Sequence, residues 1–119
     1  QPGDKVFGES VKYFGTYAEY VAISENGIVA KLPEEINFEE AAGMCDGGIT
    51  SLNFLTNLGS IKAGQKVLIN GASGSLGTAA VQIAKHYGAH VTAVCSAGTR
   101  PSASSIIGSK WSKLLSSRV

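Results

Sequence analysis

The sequence predicts an α/β fold, a βαβ unit preceded by a β-rich stretch. Between residues 66 and 95 come an apolar run, a glycine-rich turn, an amphipathic segment and a second apolar run, in that order. Ahead of them, residues 1–35 hold short segments rich in aromatic and β-branched residues, punctuated by glycine and proline. The length, 119 residues, allows one modest domain and is too short for two robust ones.

Asp4 to Phe7 is a short strand candidate between Gly3 and Gly8, and Glu9 to Phe14 reads as a turn. Gly15 to Ile23 alternates Tyr17, Glu19 and Val21 with Ala18, Tyr20 and Ala22, which predicts a strand. Asn26-Gly27 signals a turn, and Ile28 to Leu32 a further strand that Pro33 ends. Asn37 is placed as the N-cap of a helix whose first turn carries Glu39 and Glu40, charges that suit the positive helix N-terminus. Ala41, Ala42 and Met44 continue it, and Gly47-Gly48 is expected to interrupt it. Ile49, Leu52, Leu55 and Leu58 predict a second helix, with Gly59 as its C-cap.

Lys66 to Asn70 contains Val67-Leu68-Ile69, an apolar run expected of a strand covered on both faces. The following helix, about Ser75 to Tyr87, is expected to bury Leu76, Ala79, Ala80, Ile83, Ala84 and Tyr87. Thr78, Gln82, Lys85 and His86 should face outward. His90 to Cys95 is the closing strand, with Val91, Ala93, Val94 and Cys95 assigned to the interior.

Composition narrows the function classes. The chain is 44% hydrophobic and 16% charged, as globular proteins are, and no apolar run reaches the length of a membrane span. The start, Gln1-Pro2-Gly3-Asp4-Lys5, has neither an initiator Met nor a signal-peptide pattern, so a piece of a longer protein is expected, and two cysteines read as reduced thiols suit a cytoplasmic one. Cys45 and Cys95 stand far apart with no histidine at ligand spacing, which argues against a zinc site. Net charge is +1, and no basic stripe marks a nucleic-acid partner; yet residues 97–119 contain Arg100, Lys110, Lys113 and Arg118 and no acid.

The glycines fall as Gly71-x-x-Gly74-x-x-Gly77. Ala72, Gly74 and Gly77 then occupy the three positions of the dinucleotide fingerprint G-x-G-x-x-G, with alanine in the first. The first position makes the tight turn, the second lets backbone reach a pyrophosphate, and the third lets the helix lie close to the strand. A triphosphate P-loop needs a lysine before the last hydroxyl residue, and Leu76-Gly77-Thr78 has none. The short-chain dehydrogenase spacing also fails. A turn that binds nothing is the bland alternative.

An acid at the end of the second strand would hold the ribose 2′-hydroxyl of NAD. Ser96-Ala97-Gly98-Thr99-Arg100 has none. A small hydroxyl residue with a nearby arginine suits a 2′-phosphate, so Ser96 and Arg100 point to NADP(H) rather than NAD. A solvated charge is the alternative for Arg100.

Together these residues resemble the medium-chain dehydrogenase/reductase superfamily, in its zinc-lacking, NADPH:quinone oxidoreductase-like branch. The carrying segments are Gly3-Asp4-Lys5-Val6-Phe7-Gly8, Gly15-Thr16-Tyr17-Ala18-Glu19-Tyr20-Val21, Ala41-Ala42-Gly43 with Gly48-Ile49-Thr50, Gly64-Gln65-Lys66-Val67-Leu68-Ile69, and above all the run from Asn70 to Gln82. The resemblance implies that residues 1–35 are the end of a GroES-like catalytic domain and 36–96 the start of a Rossmann cofactor domain. It implies hydride transfer from NADPH to a quinone, carbonyl or activated alkene, a small-molecule substrate and a homodimeric parent. By position, Thr50 resembles the threonine these enzymes place near the cofactor. Ser73, Gly74, Ser75, Leu76 and Gly77 resemble the pyrophosphate turn, and Ser96 the adenosine-ribose position. Cys45-Asp46-Gly47 departs from the apolar residues usual there.

No residue present is a catalytic candidate; His86 and His90 read as structural. A truncated nucleotide-binding module without activity is therefore the alternative function. The likeness stops at Ser96, where serine and positive charge rise together, and residues 97–119 read as an atypical, non-native ending. Within it Ile107, Trp111, Leu114 and Leu115 fall at helical spacing. They read either as a helix for a membrane surface or a partner, or as one that covers the bare sheet.

Overall fold

The computed structural model describes residues 1–10 and 14–96. The atypical ending, and Arg100 with it, lies outside the described residues. Two compact units divide within the first helix: Gln1–Cys45, and the chain from Asp46 onward.

In the first unit, β1 (Val6–Glu9) pairs antiparallel with β2 (Ile28–Lys31), Val6 opposite Lys31 and Glu9 opposite Ile28. The first strand thus runs two residues beyond the predicted Asp4–Phe7 segment. The expected turn before β2 is present, with the Gly27 N–H donating to the Ser24 carbonyl at 2.9 Å. Lys31 Nζ lies 3.0 Å from the Asp4 carboxylate. The amino-terminal ammonium, and after it Lys31, hold that carboxyl below its ordinary range. The buried apolar side chains here are Ile36, Ala41, Met44 and Cys45.

The predicted strand Gly15–Ile23 is not a strand. Tyr17 and Tyr20 stand fully in solvent, and Phe14 is exposed. A strand exists only by exchanging backbone hydrogen bonds with a neighbour. Among the described residues β1 and β2 pair only with each other, so alternation alone has nothing to pair with.

Helix α1 (Phe38–Leu52) opens on a capping box. The Glu40 N–H donates to Asn37 Oδ1 at 2.8 Å, and the Asn37 N–H donates back to Glu40 Oε2 at 3.4 Å. This is the predicted N-cap. The predicted interruption at Gly47-Gly48 does not occur; α1 is continuous and runs into a π-helical segment, Asn53–Leu58. Two helical glycines cost about 1 kcal/mol each relative to alanine, and at Gly47 a side chain would collide with Ser75. Gly59 ends the segment with right-handed geometry; the left-handed residue is Ser60, φ 46°. The Ile61 N–H returns to the Leu55 carbonyl at 2.9 Å, closing the helix as a Schellman motif does.

In the second unit, β3 (Lys66–Asn70), α2 (Ser75–His86) and β4 (His90–Val94) form the expected βαβ unit. The strands are parallel, with Lys66 opposite His90 and Asn70 opposite Val94. Ile69, Ala72, Val81 and Ala84 make the core, and Leu55, Ile61, Val67, Ala80, Ala89 and Val91 pack around them. Only alternate strand residues take part. Val67 and Ile69 meet α2, whereas Leu68 and Val94 are 68% and 44% exposed. The expectation of a strand covered on both faces, and of Val94 inside, is thereby corrected: among the described residues α2 packs on one face.

Helix α2 buries Ala79, Ile83 and Ala84 and exposes Lys85 and His86 as predicted, but three positions differ. Leu76 and Tyr87 are exposed, while Gln82, assigned outward, is 7% exposed. Its amide donates to the Thr78 carbonyl at 3.2 Å, so the helix's own backbone satisfies the buried group. Gly77, Val81 and Ala84, spaced four and three apart, form the inward ridge.

Candidate cofactor site

The site is built on the carboxyl end of β3. Gly71 turns the chain at φ 72°, a left-handed conformation for which glycine is suited. The Gly74 N–H closes the turn on the Gly71 carbonyl at 3.0 Å. Ala72 is fully buried, and its N–H donates to the Val94 carbonyl at 2.9 Å. That bond ties the turn to the end of β4 and puts Ser96, which is exposed, at the same end of the sheet. In open α/β sheets this carboxyl end is where ligands bind.

Gly74 is the N-cap of α2 in extended conformation, φ −77° and ψ 171°. Its carbonyl accepts the Thr78 N–H at 2.9 Å and also the Thr78 hydroxyl at 2.9 Å. No side chain caps the helix, and no acid lies in its first turn. The N–H groups of Ser75, Leu76 and Gly77 therefore have no intrahelical acceptor and carry the positive end of the helix dipole.

The two glycines of the helix entrance differ in kind. A Cβ on Gly77 would lie 2.6 Å from Ala72 Cα, inside contact distance, so the residue must be glycine for the helix to rest on the turn. A Cβ on Gly74 would meet only the Gly71 carbonyl oxygen, at 3.5 Å, and one on Gly71 would meet nothing within 4 Å. Beside the helix entrance, Gly71 and Gly74 thus leave side-chain positions open, as a backbone-lined phosphate site needs.

Of the sequence-predicted residues, Ser73, Gly74, Ser75, Leu76 and Gly77 form this turn and helix entrance, with Ser73 half-buried and Gly77 buried. Thr50 is half-buried on α1, beside Ser51 in the chain. Arg100 lies outside the described residues. Two residues were missed. Gly47 packs against the α2 entrance, where an added Cβ would stand 2.8 Å from the Ser75 carbonyl carbon. Ser51, 4% exposed, donates its hydroxyl to the Leu76 carbonyl at 2.8 Å. The available signal was their i, i+4 spacing as two small residues, which puts both on one helix face.

No His, Cys, Asp or Glu cluster able to hold a metal occurs among the described residues. His86 and His90 lie at the C-terminus of α2 and the start of β4, across the sheet from the turn. No described helix is long and apolar enough to cross a membrane.

No family model matches the chain. Individual proteins do. A quinone oxidoreductase of Pongo abelii is 43% identical over 89 residues, covering 75% of this chain and 26% of its own length. The mitochondrial NAD(P)H oxidoreductase RTN4IP1 of Mus musculus is 38% identical over 101 residues, 81% of this chain and 25% of that protein. Among solved structures, the CurK enoyl reductase superposes with a TM-score of 0.61 at 35% identity, over 68% of this chain and 25% of that one. An alcohol dehydrogenase superfamily protein from Novosphingobium aromaticivorans gives a TM-score of 0.61 at 29% identity, over 64% and 23%. The chain belongs to the medium-chain dehydrogenase/reductase, or alcohol dehydrogenase, superfamily. Its homologues there are quinone oxidoreductases, NAD(P)H oxidoreductases and enoyl reductases, and it spans about a quarter of the length of these relatives.

Proposed function

We propose that the turn Ser73–Gly77 binds the pyrophosphate of a nicotinamide cofactor, and that the chain is the cofactor-binding portion of an oxidoreductase. One observation carries this reading. Gly77 seats α2 on the turn, the helix entrance carries no side-chain cap, and the side-chain positions of Gly71 and Gly74 beside it are open. Backbone donors at a helix N-terminus are what an anionic diphosphate requires. NADP(H) is the preferred cofactor, because the end of β4 offers Ser96 and no acid to a ribose 2′-hydroxyl. The family resemblance adds Thr50 near the cofactor, and Arg100 is assigned to the 2′-phosphate.

When bound, the cofactor supplies a hydride. The relatives' names, quinone oxidoreductase and enoyl reductase, suggest a quinone or an activated alkene as acceptor, and the family resemblance adds a carbonyl. In the longer, homodimeric protein, residues 1–35 close a catalytic domain and 36–96 open the cofactor domain. This chain's share is to orient the diphosphate and present the positive helix end. A second reading, binding without turnover, is favoured by the position of the two histidines. Both lie across the sheet from the turn, so no described imidazole is placed to exchange a proton there.

Titration with NADPH and NADH, followed by cofactor fluorescence, tests the proposal, and quinone-dependent oxidation separates the two readings. Saturable binding with NADPH preferred is expected. Gly74→Val should abolish it without unfolding the chain, since the extended backbone of Gly74 suits valine and its side chain would enter open space. Unchanged affinity in that variant would place the cofactor elsewhere.

A further inference from the structure

We infer that Gly47 and Ser51 of α1 form a positioning device for the cofactor turn, acting on the single peptide unit that joins Leu76 to Gly77. The inference rests on the proposed cofactor reading. Its basis is the planarity of the peptide bond. The Leu76 carbonyl and the Gly77 N–H belong to one rigid unit and point in opposite directions. The N–H end is one of the helix-entrance donors without an intrahelical acceptor. The carbonyl end accepts the Ser51 hydroxyl at 2.8 Å from a side chain that is 4% exposed. The Ser51 bond adds to the helix's own bond at one end of the plane and so further restrains the direction of the other. It also polarises the amide, making its N–H a stronger donor to an anion.

Gly47, one helical turn before Ser51, sets the distance at which this bond can form. A Cβ there would come within 2.8 Å of the Ser75 carbonyl carbon and oxygen, so any side chain would push α1 off the α2 entrance. Glycine and serine at i and i+4 thus act as spacer and pin on one face of α1. Neither touches the space over Gly71 and Gly74, so both are positioning residues. Fold integrity does not require the pin. The Leu76 carbonyl is a helix-interior acceptor for the N–H four residues on, and losing the hydroxyl leaves it a partner.

The test is direct titration of the full chain with NADPH. Ser51→Ala and Gly47→Ala are each expected to raise the dissociation constant about tenfold, the loss of roughly one net hydrogen bond. Thr56→Val is the control. It removes another hydroxyl–carbonyl bond within the same helical run, Thr56 to Leu52 at 2.7 Å. It should lower the melting temperature without changing the NADPH affinity. The amide proton resonance of Gly77, read without cofactor, should move upfield in Ser51→Ala and stay in place in Thr56→Val. A folded Ser51→Ala variant with wild-type affinity and an unmoved Gly77 resonance overturns the inference. A wild-type chain that does not bind NADPH overturns the cofactor reading itself. Because the Gly77 resonance is measured without cofactor, it still reports on the Ser51–Leu76 connection in that case.

Discussion

The two units of this chain were built from equally suggestive sequence, and they came out differently. From Asp46 on, strand, turn, helix and strand follow in order, and each element packs on its chain neighbour. In Gln1–Cys45, two strands of four residues pair with each other, and the aromatic segment with the clearest alternation pairs with nothing described. The difference lies in where the partner is. A helix satisfies its own backbone, and a βαβ unit brings its second strand within about thirty residues. A lone strand depends on a neighbour that its own sequence does not specify.

The largest effect is expected where that comparison is strongest. Ile83 is fully buried in α2, and Ile83→Ala should cost about 3 kcal/mol. Thermal unfolding followed by circular dichroism would read this as a clear drop in melting temperature. A loss under 1 kcal/mol would mean that the second unit is no better packed than the first.

A smaller loss, about 1 kcal/mol, is expected for Asn37→Ala, which removes the side-chain acceptor of the α1 capping box. Denaturant unfolding would measure it. No effect would show that local capping contributes nothing to the first unit.

Cys45 gives a pH test. Burial, and then the charge of Glu9, push its thiol above its ordinary range, and Sγ donates to the Ala41 carbonyl at 3.3 Å. A raised folded-state value disfavours the thiolate. The stabilisation is therefore complete below the unfolded pKa and lost as pH rises through the folded one. Iodoacetamide should modify Cys45 slowly near neutrality and faster on the alkaline side, as the first unit loosens. Rapid labelling at neutral pH would contradict its burial.

The smallest effect belongs to the first unit's exposed ring pair. Tyr17→Ser and Tyr20→Ser should each change stability by no more than about 0.5 kcal/mol, because both rings are in solvent. A larger loss by the same unfolding measurement would show that this segment is packed after all, and would erase the contrast between the units.

The legible part of the site was its backbone. The spacing of Gly71, Gly74 and Gly77 marked turn, open space and close approach, and two of these have local reasons: Gly71 is left-handed, and a Cβ on Gly77 would collide with the turn. The β3 boundaries, the Asn37 cap and the parallel pairing followed from equally local signals. Less legible were matters of contact. Gly47-Gly48 looked like a helix break, and is instead where α1 comes against α2. Gln82 looked solvent-facing and is buried, its amide satisfied by the Thr78 carbonyl of its own helix.

Residue types and their spacing were enough to place a glycine turn in a βαβ unit, since hydrogen bonding, steric exclusion and helix capping act over a few residues. They could not say that Ser51 reaches Leu76, or that Leu68 would be left bare on the sheet. Those outcomes depend on which surfaces meet across twenty-five positions of chain, or fail to meet at all, and packing between distant segments leaves no periodic mark in either one.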